Sequence, residues 1–298
     1  EVPVGRFASI TGSVDVQSSG GAAWVAAKLD SRLCEGDTIR VGERSRAAVS
    51  LINDAVLRID QNTAMRLIDI TPQEEESSLL DLFSGAFQSF SRKPKYLKVN
   101  TPYLNGSVEG TEFAVRVEDE ATSITVLEGL VVAANAQGEI SVRPGEIAQA
   151  RKGGAPTREI AVNPRDQVQW AIFYPPILSA QAAAASSPSL QEAANCATNG
   201  NIACALSELD GVPSQRRGGD YLLLRSTVLL AVGRVDEART DVDSALDADP
   251  NASGALALRS IIGVAQNRDD EGLGDARRAV EVDPDSSAAV IALSYALQ

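Results

Sequence analysis

The first half of the chain alternates apolar and polar positions with a period of two. In "GSVDVQ", Val14 and Val16 alternate with Ser13, Asp15 and Gln17, as in a strand with one buried face. "TIRV", "AAVSLI", "AVLRID" and "MRLIDI" are short, rich in β-branched residues and separated by turn residues. They predict an all-β domain over residues 1–150, a wound β-stack or a sandwich. "DLFSGAFQSFS" continues the pattern with Phe83, Phe87 and Phe90, and Gly85 predicts a turn between two strands there.

From Ser189 the apolar period becomes helical. Asp249-Pro250 and Asp283-Pro284 stand 34 residues apart. Ala238, Val242 and Ala245 before the first pair recur as Gly272, Ala276 and Ala279 before the second. Small residues at these positions let paired helices approach closely. An earlier, degenerate unit spans 189–210, with Asn199-Gly200 at its turn. Cys196 and Cys204 lie four residues either side of Gly200, at similar heights on two antiparallel helices, which places them for a disulfide. Two buried thiols are the alternative. Cys34 is left over and is expected to be a buried thiol.

Between these halves, residues 151–188 read as a linker. "ARKGGAPTREIAVNPRDQ" carries the Gly, Pro and charge of a connection. Trp170, Phe173, Tyr174, Pro175 and Pro176 then form a docking segment. The two prolines keep it extended, and its rings are expected to dock into a domain junction or onto another chain. The fold class is thus α+β in two parts: strands first, helical hairpins over 189–298.

Charge narrows the function classes. The chain carries 27 basic and 40 acidic residues, a net charge of −13, which repels phosphate backbones and argues against nucleic-acid partners. The one basic cluster, Arg92-Lys93-Pro94-Lys95 with Lys98, reads as a solvated loop. The 298 residues include no histidine, so the commonest general base and metal ligand are missing. No catalytic, metal or cofactor site is expected. Glu109 with Glu112, or Glu118, Asp119 and Glu120, form the nearest approach to an acid–base pair, but the last three fall in a predicted hairpin turn. No apolar run is long enough to cross a bilayer as a helix. The opening Glu1-Val2-Pro3-Val4 has no initiator Met and no leader, which reads as the start of a processed, exported chain.

The 34-residue spacing resembles the tetratricopeptide repeat, a helix–turn–helix unit, over about residues 219–298. Leu222, Ser226 and Leu229 occupy its large, small and large positions, and Gly233 its turn. Leu222 stands where the family has an aromatic residue, and Arg225 where it has an apolar one. The resemblance implies a protein-binding groove lined by Leu223, Thr227, Leu230, Ala257, Ile261, Val264, Ile291 and Tyr295, a stripe that could equally be packed inside the molecule. "SSAAVIALSYALQ" supplies the first helix of a further unit without a second. That incomplete unit predicts either more protein, in the form of repeats or a membrane-embedded part, or a covering copy of the chain in a ring, filament or larger assembly.

The strand half resembles the FecR domain. Trp24, "LCEGDTIRVG" (Leu33–Gly42), "SRAAVSL", "AVLRID", Thr101-Pro102, "VEGTEFAV" (Val108–Val115) and "VLEGLVVAAN" (Val126–Asn135) follow that family's order. Gly36-Asp37, Gly42 and Gly110-Thr111 are expected to make turns, and Trp24 to seal one end of the core. The resemblance implies an exported β-domain known from periplasmic regulators. The leading expectation is a non-enzymatic, exported module of the bacterial envelope or surface that binds proteins, copies of itself included, with the repeats as scaffold. A periplasmic regulator relaying a receptor signal and a polysaccharide-binding protein are the alternatives.

Overall fold

The computed structural model describes residues 2–71, 77–161, 164–171, 178–180, 184, 187–266 and 268–297. The chain forms two compact units, Glu1–Ala171 and Ile172–Gln298.

The first unit is built of antiparallel strands: β1 (Pro3–Thr11), β2 (Val14–Gln17), β3 (Val25–Ala26), β4 (Arg32–Cys34), β5 (Thr38–Val41), β6 (Arg46–Leu51), β7 (Val56–Ile59), β8 (Thr63–Asp69), β9 (Ser78–Asn100), β10 (Asn105–Glu118), β11 (Ala121–Asn135), β12 (Gly138–Val142), β13 (Glu146–Arg151) and β14 (Thr157–Ile160). Their order is β14-β13-β11-β10-β9-β7-β6-β1-β4. A second arm runs from β9 through β8, β5 and β2 to β3, and β12 joins β11. The period of two is obeyed closely: β6 alternates half-buried and buried residues along its whole length. The inward side chains, Phe7, Leu33, Leu57, Leu67, Phe87 and Ile124 among them, form one core. Phe87 meets Phe113 edge to face, with centroids 6.0 Å apart.

Two long strands are each shared between two arms, and a glycine marks each fork. On β9, residues 79–84 pair with β8 and residues 87–90 with β7. Gly85 lies between, with φ +81°, and any Cβ there would sit 2.5 Å from Thr63 Cα. Gly85 is therefore a kink inside one strand, not the turn between two strands that its sequence suggests. On β11, residues 121–125 pair with β13 and residues 131–135 with β12. Gly129 lies between, with φ +113°, directly opposite Gly110 of β10. Gly110-Thr111 likewise sits inside a strand, at a register shift against both neighbours. The basic residues expected in a loop belong to β9, where Ser91–Pro94 bulge opposite that shift.

Trp24 does not seal the core. It is 37% exposed, and the Arg40 guanidinium lies 4.4 Å from its ring centroid, so the indole serves as a surface platform for a cation. Cys34 is half-buried rather than buried.

The strand unit also extends past residue 150. β14 pairs with β13, and a 3-10 helix over Pro164–Ala171 completes the unit, so residues 151–171 are not linker. Trp170, 8% exposed, packs against Ala86 on the outer face of β9. Arg116 stands 5.8 Å from its ring centroid, and Arg46 donates to its carbonyl at 3.4 Å. Beside it, Asp60 accepts from the Gln61 backbone N–H (2.9 Å) and from Arg116 (3.4 Å). Burial raises the Asp60 pKa above its ordinary 3.8, outweighing those contacts and Arg46. A raised folded-state pKa stabilises the fold below the unfolded value, and that contribution is lost as pH rises through the folded value. The urea midpoint of Asp60→Asn, measured against wild type, should therefore rise as pH increases above 3.8 and level off once the folded-state carboxyl has ionised.

The second unit is helical: α1 (Gln191–Thr198), α2 (Ile202–Asp210), α3 (Gly219–Ala231), α4 (Val235–Ala248), α5 (Ser253–Ala265), α6 (Asp269–Val282) and α7 (Ser287–Ala296). α3–α4 and α5–α6 are antiparallel hairpins repeating at 34 residues, and Gly233 turns the first with φ +75°. Asp249 and Asp283 each accept the backbone N–H two residues on, closing the same Asx turn around Pro250 and Pro284. Leu224, Leu229, Ile261 and Ala279 belong to one core that runs through the whole unit.

Candidate protein-binding surfaces

The repeats explain their own departures from the tetratricopeptide pattern. Arg225 donates to both oxygens of Asp241 at 2.8 Å and reaches Glu237 at 3.4 Å. Thirty-four residues on, Arg259 makes the same paired contact with Asp275, at 2.7 and 2.8 Å. An arginine thus takes an apolar position because a carboxylate on the facing helix recurs with it. Burial pushes the Asp241 carboxyl upward against the pull of Arg225, while the bond to Asp275 raises Arg259. The joint recurrence of Arg225 with Asp241 at the repeat period is present in the sequence and was the signal for this pairing.

At the closest approach within each hairpin stands a serine. Ser226 Oγ donates to the carbonyls of Leu222 (2.7 Å) and Ala238 (3.2 Å). Ser260 takes the equivalent place against Gly272, fully buried, with no hydrogen-bond partner for its Oγ among the described residues. Where the first hairpin has Leu229 and Thr240, the second has Gly263 and Gly274. The missing side chains leave a cavity of about 370 Å³ beside Arg239, Asp243, Arg259 and Arg268.

Of the eight residues proposed for a groove, Leu230, Ala257 and Ile261 are buried by neighbouring helices and cannot line an open surface. Leu223, Thr227, Val264 and Tyr295 are half-buried, and Ile291 is 46% exposed. Leu178 packs against the helical core, and a Cβ on Gly254 would lie 3.4 Å from Leu178 and 3.5 Å from Leu223. The chain before the repeats therefore covers part of the stripe. Val290 and Ile291 on α7, and Leu297 just after it, stay exposed. Of the docking segment, Trp170 lies in the strand unit as described, while Phe173, Tyr174, Pro175 and Pro176 fall outside the described residues.

Cys196 and Cys204 form a disulfide between α1 and α2. The turn it staples is short: Gly200 has φ +74°, and Asn201 caps α2 by accepting from the Cys204 N–H. Replacing both cysteines by serine is expected to cost about 2–3 kcal/mol, the loop-closure value for so short a loop. A chemical melt of the variant beside wild type measures it.

Glu109 accepts from the Tyr96 hydroxyl, and Glu112 from Gln88 Nε2. Glu118 ends β10, and Asp119-Glu120 make the hairpin turn to β11. Among the described residues no cluster of His, Cys, Asp and Glu suits a metal, and no helix is long and apolar enough to cross a membrane.

The family described as "FecR protein" matches residues 37–132, within the strand unit. No curated protein matches the chain. Among solved structures, a "putative anti-sigma factor" from Parabacteroides distasonis ATCC 8503 is 20% identical over 45% of this chain and 63% of its own, with a TM-score of 0.40. This chain thus spans less than two thirds of that protein. The Arabidopsis OM64 TPR domain is 18% identical over 38% of this chain and 93% of its own, with a TM-score of 0.34. The second TPR domain of human RPAP3, solved with an HSP70 peptide, is 19% identical over 40% and 98%, with a TM-score of 0.33.

Proposed function

We propose that this chain is a non-catalytic, exported module that relays or receives a signal in the bacterial envelope through protein contacts. The observation that carries the reading is the FecR match over residues 37–132, which lies within the strand unit, begins at Asp37 and takes in Gly129. The Cys196–Cys204 disulfide supports an oxidising compartment. The helical hairpins supply the second protein-facing surface.

A second reading keeps the same contacts but makes assembly their purpose. Three exposed apolar side chains at the last helix, Val290 and Ile291 on α7 and Leu297 just after it, favour it. The family match supports signal relay at least as well, and relay is therefore the first reading.

Deleting the gene in its own bacterium separates the two. Relay predicts a transcript change confined to the targets of one sigma factor, restored by the reintroduced chain. Assembly predicts unchanged transcripts and loss of an envelope complex on co-purification. A hydrolytic activity that accounts for the deletion phenotype would overturn both.

A further inference from the structure

We propose that the open cleft beside Arg66 on the strand unit binds an extended segment of a partner protein through a carboxylate carried by that segment; this deepens the protein-recognition reading above and rests on it. The cleft encloses about 700 Å³, and Gln17, Ser18, Ser19, Glu35, Thr38 and Arg66 line it.

Arg66 projects from β8 and is held twice. Its Nε donates to Thr38 Oγ1 at 3.2 Å, and its guanidinium stands 5.4 Å from the centroid of the Phe83 ring. Its two terminal nitrogens have no hydrogen-bond or ion-pair partner among the described residues. Asp81, its partner across the strands, accepts from Asn100 instead, at 2.9 Å. The chain has 40 acidic residues against 27 basic ones, so an arginine that is fixed yet unpaired stands out. A guanidinium held through Nε and beside a ring, with the edge between its two terminal nitrogens free, is a preformed fork for a carboxylate.

The loop that supplies Ser18 and Ser19 is fixed as well. Asp37, 4% exposed, accepts from the backbone N–H of Ser19 (3.1 Å) and of Cys34 (2.8 Å). Its carboxylate therefore ties the loop after β2 to the turn between β4 and β5. Gly36 completes the brace: its φ is +83°, and a Cβ there would meet Ser19 Oγ at 2.5 Å. The Gly-Asp pair thus builds a wall of the cleft.

Charge selects the ligand. Glu35 in the cleft and a net charge of −13 disfavour a polyanion. One carboxylate flanked by uncharged amides suits the site: Arg66 takes the acid, while the hydroxyls of Ser18 and Ser19 and the amide of Gln17 can pair with backbone groups. The volume lies within the roughly 300–1,000 Å³ of sites that hold small ligands. An acidic sugar shares the carboxylate and is set against the peptide below.

The test is calorimetric titration of the intact chain with three probes: a capped pentapeptide bearing one Glu, its Gln counterpart, and a glucuronate disaccharide. The Glu peptide should bind, and both the Gln peptide and the Arg66→Gln variant should weaken binding about tenfold or more. Arg66→Lys, which keeps the charge but not the fork, should fall between them. Arg66 is exposed, and unchanged melting of both variants would confirm that the fold is intact. Equal binding of the two peptides, tighter binding of the disaccharide, no binding of any probe at millimolar concentration, or full binding by Arg66→Gln would each overturn the proposal. Cross-linking in the envelope separates this from the broader reading. If wild type and Arg66→Gln capture the same partner equally, the cleft proposal fails and the protein-recognition reading stands. If neither captures a protein, that reading fails too.

Discussion

Alanine in place of Gly129 is expected to unfold the strand unit under conditions where the wild-type chain is native. The backbone at 129 has φ +113°, which L side chains rarely adopt. A Cβ there would overlap Gly110 Cα and lie 2.5 Å from the Glu109 carbonyl oxygen, both main-chain atoms that cannot rotate away. Backbone strain and overpacking act together, for a loss of about 3 kcal/mol or more. That is a large part of an ordinary domain's stability. Differential scanning calorimetry should show the strand transition lowered or lost, while ellipticity at the helical wavelength melts as in wild type. Gly153→Ala is the control: φ there is also positive, at +76°, but no atom lies within 4 Å of the added Cβ, so only the smaller conformational cost remains. A Gly129→Ala melt matching wild type would show that the fork in β11 does not need a glycine.

The second large effect falls in the repeats and separates two serines that look alike. Ser260→Leu forces a branched side chain into the seam between α5 and α6. There the Ser260 carbonyl already lies 3.0 Å from where a Cβ on Gly272 would stand. The expected loss is about 3 kcal/mol, carried by the helical transition alone. Truncation to alanine has the opposite sign at the two sites. Ser226→Ala removes two hydrogen bonds to main-chain carbonyls and should cost about 1 kcal/mol. Ser260→Ala removes a buried hydroxyl with no partner among the described residues and should be neutral or stabilising by up to about 1 kcal/mol. Urea midpoints for the pair decide it. Equal losses at both sites would mean that the Ser260 hydroxyl is satisfied after all.

The strands and the helical period were legible because each buries one face, and burial imposes a period on the residues themselves. What the sequence did not show was where sheet arms part. Gly85 looks like a turn residue, since a positive φ serves a hairpin and a fork equally, and only pairing across strands tells the two apart. Trp24 illustrates a second limit: an indole reads as core, yet Arg40 opposite it makes a surface platform sufficient. Arg225 illustrates a third. It breaks the apolar pattern of its helix, and its meaning depends on Asp241, sixteen residues away and adjacent only once the hairpin closes. Of the groove residues, Leu230, Ala257 and Ile261 are buried for a related reason: a period identifies the apolar face, but it does not say how much of that face the rest of the unit, Leu178 included, already covers. The cleft beside Arg66 draws on four separate stretches of sequence, and no local pattern announces it.

The pairing scheme of the first unit also governs how quickly it can form. β1 pairs with β6, as in Gly5 with Leu51, and β9 must receive β7, β8 and β10 before its core closes. Such long loops are costly to close before any contact rewards them, so refolding from denaturant should be slow in this unit. The hairpins α3–α4 and α5–α6 need only their immediate neighbours and should regain ellipticity first. Where the chain is delivered N-terminus first across a membrane, the order of arrival runs the other way: the slow unit emerges ahead of the fast one and has the passage of the helices in which to begin finding its register.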